Sequence, residues 1–231
     1  MTRLAPLPIY SGEKYQLQGK RLRTAYRGFC GDLRKEGETM NFVEPIRDVT
    51  TIQDIADYLK EQSPKYYIMF MIGIYSGLRI SDILKLKVRD VRGKEAIKIR
   101  EKKTGKEKLF PINKELYPVI QDYCVNKKDY DYLVPSSRAV NKAVSREYAY
   151  RVIHAAGEQF GLDNLGTHTM RKTFGYHFYL QTKDIVLLMR ILNHSDQSKT
   201  LRYIGIEQST IDSAMRKFSL KAGTTSQRFA T

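Results

Sequence analysis

Residues 167–203 run THTMRKTFGYHFYLQTKDIVLLMRILNHSDQSKTLRY, and the reading of this stretch decides how the rest of the chain is read. Its periodicity predicts helices over about 169–181, 183–192 and 198–204, with Thr167 as the cap of the first and Gly166 and Gly205 as breaks on either side. His168 and Arg171 are three residues apart, so an imidazole and a guanidinium share one face at a helix start. The unpaired N–H groups there already favour a phosphate. His194 and Tyr203 stand nine positions apart on neighbouring segments. Each pair by itself is a weak pattern. With 16 tyrosines in the chain, most are structural, and Tyr203 has no claim in isolation.

Working outward, Thr50 and Gln53 read as a capping box opening a helix to about Lys60. Ser63-Pro64 starts a second helix, whose apolar face is Tyr67, Ile68, Met71, Ile74 and Tyr75 and whose end is Gly77. A short helix over Ser81–Leu86 follows. The period then shortens, and Val88–Val91, Ala96–Arg100 and Glu107–Pro111 read as three strands joined by turns at 92–94 and 103–106. Further helices are expected over about 114–124, 145–160 and 207–218. The expected fold class is α+β, mainly α, with a small three-stranded antiparallel sheet. Residues 1–42 read as a basic N-terminal extension and linker holding one short helix around Leu22–Leu33, residues 43–221 as the folded domain, and residues 222–231 as a flexible tail.

Bulk properties narrow the function. The 231 residues are 42% hydrophobic, enough for a real core. Forty Lys+Arg against 25 Asp+Glu give +15, an excess that favours polyanions because each neutralised phosphate releases condensed counterions. Solubility alone is the bland reading of that charge. No apolar run approaches the ~20 residues that span a bilayer, and no secretory leader is evident, so a soluble cytoplasmic protein with no membrane partner is expected. Cys30 and Cys124 are far apart, and the four histidines lack metal-ligand spacing, which disfavours disulfide scaffolds and metalloenzymes.

Metal-free chemistry on a phosphodiester needs a nucleophile, cations against the non-bridging oxygens, and an acid for the leaving oxygen. Arginine suits the second role because its planar fork matches two oxygens and keeps its proton. Candidates occur at four places. Arg79 follows the glycine-terminated helix in Gly77-Leu78-Arg79-Ile80-Ser81-Asp82, where a surface arginine or a partner for Asp82 is the plainer reading. Lys103 sits in a hairpin turn crowded with Lys102, Lys106 and Lys108, and nothing local selects it. His168 and Arg171 make the third place, His194 and Tyr203 the fourth.

Together, in order, spacing and flanks, these four places resemble the signature of the tyrosine site-specific recombinases of the phage integrase family. Ser76–Asp82 is similar to the family's first arginine box, and His168–Phe174 to its His-x-x-Arg box. Leu192, His194, Ser195 and Tyr203 match the Leu-x-His-Ser box with its following tyrosine. Aligning the hairpin on Leu109-Phe110-Pro111 selects Lys103. The resemblance spans roughly residues 43–220 and implies a tyrosine recombinase catalytic-domain fold. It implies Tyr203 as nucleophile, Arg79 and Arg171 on the phosphate, Lys103 as proton donor, His168 assisting proton transfer on the tyrosine, and His194 bonding the phosphate. Asp82 would buttress Arg79, and two arginines and a histidine nearby would activate the phenol. No cofactor or metal is implied. The partners implied are double-stranded DNA and further copies of the chain in a tetramer on that DNA, with the segment from Glu207 onward either docking on a neighbour or covering its own domain.

Two departures stand out. About 40 residues precede the match, too few for the core-binding domain usual in the family, so weak, salt-sensitive DNA capture is expected. Asn193 stands where glycine is usual. The alternatives are an integrase-like DNA-binding module without catalysis and a type IB topoisomerase-like activity.

Overall fold

The computed structural model describes residues 43–100, 107–206 and 215–216. The expected helix around Leu22–Leu33, the turn carrying Lys103, nearly all of the helix expected over 207–218, and the tail lie outside the described residues. After an extended stretch at 43–48 come α1 (Val49–Gln62), α2 (Pro64–Ser76), α3 (Ile80–Ile83), β1 (Ala96–Arg100), β2 (Glu107–Pro111), α4 (Leu116–Cys124), α5 (Arg146–Gln159), α6 (Thr167–Thr182), α7 (Ile185–Leu192) and α8 (Gln197–Tyr203).

The centre is α2. A single apolar face was expected, but Ile68, Met69, Phe70 and Ile72 are all fully buried, because α1, α4 and α6 each pack against a different side. α6 comes close at Gly73, where a Cβ would lie 2.7 Å from the Met170 sulfur. Met170 thereby plants the start of α6, with His168 and Arg171 beside it, on the main core.

The opposite side of α6 feeds a smaller cluster. Leu188, Leu192 and Ile204 are fully buried there against Phe174, Phe178, Ile185 and Tyr203. The helix that carries Tyr203 thus rests on a satellite core rather than the main one, and small clusters of this kind open more readily than a domain's centre.

Two expectations are corrected. Among the described residues the sheet has two strands, not three: β1 pairs antiparallel with β2, Ile97 facing Phe110 and Ile99 facing Lys108. Residues 88–90 instead form a 3₁₀ turn, after Lys87 makes a single bridge to Tyr132. The Asp90 carboxylate accepts from the Lys87 N–H at 2.8 Å, and Val91 N–H bonds Val88 C=O at 3.1 Å. Val88 and Val91 are both fully buried, and that spacing of three belongs to a turn of helix, not to strand alternation.

The start of α1 is also different. Asp48, not Thr50, is the cap, its carboxylate accepting from Thr51 N–H at 2.9 Å and the Thr51 hydroxyl at 2.7 Å. Gln53 turns outward to Asp57. These bonds hold the Asp48 carboxyl below its usual range. Asp48→Ala should therefore destabilise the fold by about 1 kcal/mol, seen as a melting temperature roughly 2–4 °C lower; Thr50→Ala should leave it nearly unchanged.

Candidate active site

Local sequence fixes each candidate side chain. At the end of α2 the Ser76 hydroxyl donates to Ile72 C=O at 2.6 Å and accepts from Leu78 N–H at 3.2 Å. Gly77 turns the chain with φ of 63°, a conformation costly for other residues, and a Cβ there would meet the Phe174 ring at 2.4 Å. Leu78 is buried and Arg79 is left exposed beyond it. Asp82 does not buttress Arg79: its ion pair is with Lys85 at 3.7 Å, one helical turn on.

Arg171 sits at the centre. It is 5% exposed, and its guanidinium donates to Gly77 C=O and, at 2.6 Å, to Leu192 C=O. It therefore staples the Arg79 turn to the end of α7, just before His194. No carboxylate lies within ion-pair distance of it among the described residues. Burial pushes its pKa down and the Tyr203 hydroxyl pulls it back up by charge and hydrogen bonding. A guanidinium this buried stays ionised, so an anion beside it relieves a standing electrostatic cost.

The groove that Arg171 opens into has a volume of about 310 Å³. Arg79, Arg100, Lys108 and Arg171 line it together with one acid, Asp82, and the wall of Leu78, Ile99 and Phe110 lowers the local dielectric. Lys108 is the residue that sequence reasoning passed over. Its ammonium donates to Arg190 C=O at 2.7 Å and Ile191 C=O at 2.8 Å, tying the hairpin to the C-terminus of α7. The available signal was strand alternation: Lys108 pairs with Ile99 and shares the inward face with Phe110.

His194 follows Asn193, which takes the left-handed conformation at φ of 55° that asparagine tolerates better than most, so glycine is not required there. The Thr200 hydroxyl gives its only proton to Asp196 C=O at 2.6 Å, so it accepts from His194 Nδ1–H at 3.2 Å. The His194 ring meets the Tyr203 ring edge-on, with centroids 5.1 Å apart and planes at 89°. His168 lies partly exposed at the start of α6, where Gly166, not Thr167, is the cap and Thr169 accepts the Gly166 N–H at 3.0 Å.

The two arginines pull the Tyr203 pKa down, as expected, but burial opposes them. Burial raises the Tyr203 pKa by more than Arg171 and Arg79 lower it. Arg171, His194 and Tyr203 are brought together, with Arg79 on the same groove and His168 one turn from Arg171. Lys103 lies outside the described residues.

Both histidines are held below their usual pKa, first by burial and then by cations, Arg171 foremost. A lowered histidine pKa means that the unfolded chain binds more protons, so stability is full above about pH 6.5 and falls as pH drops through that value. The melting temperature of the free protein should decline between pH 7 and pH 5.5. The decline should be smaller in the double variant His168→Gln, His194→Gln.

Among the described residues, no helix is long and apolar enough to cross a membrane. The model of the phage integrase family matches residues 47–210. The chain is 46% identical over 179 residues to "Probable integrase/recombinase YoeC" of Bacillus subtilis, covering 78% of this chain and 98% of YoeC. It is 29% identical over 176 residues to tyrosine recombinase XerA of Pyrococcus horikoshii, covering 75% of this chain but 60% of XerA. The crystal structure of XerA recombinase superposes with a TM-score of 0.61 at 20% identity, covering 91% of this chain and 78% of that one. The family match, the YoeC likeness and the mostly helical fold agree with the arginine, histidine and tyrosine boxes read from the sequence, and the chain belongs to the phage integrase family of tyrosine recombinases.

Proposed function

We propose that the chain cuts and rejoins double-stranded DNA as a site-specific recombinase, through a covalent link between Tyr203 and a DNA 3′-phosphate. The observation that carries this reading is the buried Arg171, which has no carboxylate partner among the described residues, opens into a cationic groove and faces the Tyr203 hydroxyl. The Tyr203 oxygen attacks phosphorus, the bond to the 5′-oxygen breaks, and a 3′-phosphotyrosine and a 5′-hydroxyl result. Arg79 and Arg171 hold the non-bridging oxygens, whose charge grows in the transition state. Bound phosphate brings negative charge beside His194, which favours its protonated form, and Nε2–H then donates to the phosphate. His168 assists removal of the phenol proton, and Lys103 supplies the proton that the 5′-oxygen takes up. Religation reverses each transfer with a 5′-hydroxyl from the exchanged strand, so bond energy is stored and no cofactor is consumed.

Related structures solved with DNA support the substrate class: XerH bound to its palindromic difH substrate and a lambda integrase dimer on a core site. On this reading the chain works in the cytoplasm, as a tetramer assembled on DNA. The test uses a supercoiled plasmid carrying two copies of the genomic segments that flank the gene. Excised or inverted products bear out recombination. Relaxation without joined products points to topoisomerase-like activity, and binding without either product contradicts catalysis.

A further inference from the structure

Lys172 follows the central arginine in sequence but is absent from the groove lining. It is 6% exposed, unusual for lysine, and such burial requires partners. One partner is the carbonyl of Val43, which accepts from Nζ at 2.6 Å. Another is the face of the Tyr203 ring, with Nζ 5.1 Å from its centroid. A cation over a phenol face is attracted by the ring's electron density, and the attraction grows as the oxygen becomes anionic.

The far end of this contact is a strap of chain at 43–47, laid across α6 and the segment after the nucleophile. Ile46 is buried, its N–H donating to the Thr173 hydroxyl at 2.9 Å and its C=O accepting from His177 Nε2 at 2.9 Å. Arg47 donates to the C=O of Gly205, two residues past Tyr203, at 3.1 Å, and its guanidinium lies 5.6 Å from the Tyr176 ring centroid. The nucleophile is thus gripped from two sides: Lys172 over its ring and Arg47 on the backbone that follows it.

We propose that Lys172, anchored on the Val43 carbonyl, is a positioning residue that fixes the Tyr203 ring for attack, and that the strap at 43–47 holds the nucleophile's segment in register with it. The satellite core under Tyr203 is small, so its orientation depends on such local contacts more than on the main core. Lys172 touches the ring and not the groove, which separates its role from that of the phosphate-binding arginines.

The inference rests on Tyr203 being the nucleophile, and the experiment keeps the two apart. Full-length protein is saturated with a nicked duplex that traps the cleaved state, and the rate of adduct formation is measured. Lys172→Met, which keeps the apolar stem, is expected to react about 10- to 30-fold more slowly with DNA affinity within about twofold of wild type. Lys172→Arg should restore most of the rate. The deficit should persist on a duplex with a 5′-bridging sulfur, which leaves without a proton; its disappearance would make Lys172 a proton donor and overturn the proposal. Arg47→Met, at a half-exposed side chain, should slow the reaction about threefold to fivefold. Wild-type rates in either Lys172→Met or, should that variant not fold, in Arg47→Met also overturn it. No adduct from the wild type would remove the function proposed above, and this inference with it.

Discussion

Arg171→Ala is expected to slow DNA strand cleavage by about 10³-fold or more and to lower the melting temperature by roughly 5–10 °C. The two effects have separate origins. Catalysis loses a guanidinium that both faces the Tyr203 hydroxyl and opens into the groove. Stability loses the staple between Gly77 C=O and Leu192 C=O, two buried charge-assisted bonds whose acceptors are then stranded. Such bonds contribute about 1.5–3 kcal/mol each, and relief of the buried charge offsets part of that, leaving a net loss of about 2–4 kcal/mol. Arg171→Lys separates the origins, because it keeps a charge but not the fork that reaches both carbonyls and a phosphate. It should recover part of the stability and little of the rate. Cleavage of a nicked duplex, measured beside thermal melting, checks both numbers.

Tyr203→Phe should abolish covalent capture, a loss of about 10⁴-fold or more, while the melting temperature stays within about 2 °C of wild type. The ring's packing against the Ile204 cluster and the edge of His194 survives the substitution. Only the hydroxyl facing Arg171 is removed. The variant should bind duplex DNA as well as wild type, since Tyr203 is not part of the groove lining. Adduct formation by the native protein should also speed up as pH rises. Burial holds the phenol above its usual range, so an alkaline shift enlarges the reactive fraction.

Much of the fold was legible because the helices carry their own punctuation. Pro64 opens α2 and Gly77 closes it with a positive φ, while Asn193 closes α7 in the same backbone conformation without being glycine. Where two local signals competed, packing decided. Thr50 had the pattern of a cap, but Asp48, with a longer reach and a full charge, takes the Thr51 N–H. Val88 to Val91 is apolar enough for a strand, yet both valines point into the core at a spacing of three.

In the candidate site, the reading of Arg79, Arg171, His194 and Tyr203 needed only order and spacing. Their neighbours needed the tertiary fold. Lys108 reaches Arg190 and Ile191, and Lys172 reaches Val43, across more than 80 intervening positions in each case, which no local pattern encodes. The sign of the Tyr203 shift was hidden for the same reason. Nearby arginines can be inferred from boxes, but the burial that outweighs them belongs to the satellite core.

The most direct test of the central claim is to identify the atom that holds the DNA. A nicked duplex from the gene's flanking segments, end-labelled, is incubated with the protein, and the adduct is digested with trypsin. Cleavage after Arg202 and Arg216 yields the peptide 203–216, whose one tyrosine is its first residue. The account predicts a 3′-phosphorylated nucleotide on that tyrosine and no adduct from Tyr203→Phe. An adduct on any other residue, a 5′-phosphate linkage, or DNA held tightly with no covalent product would contradict it.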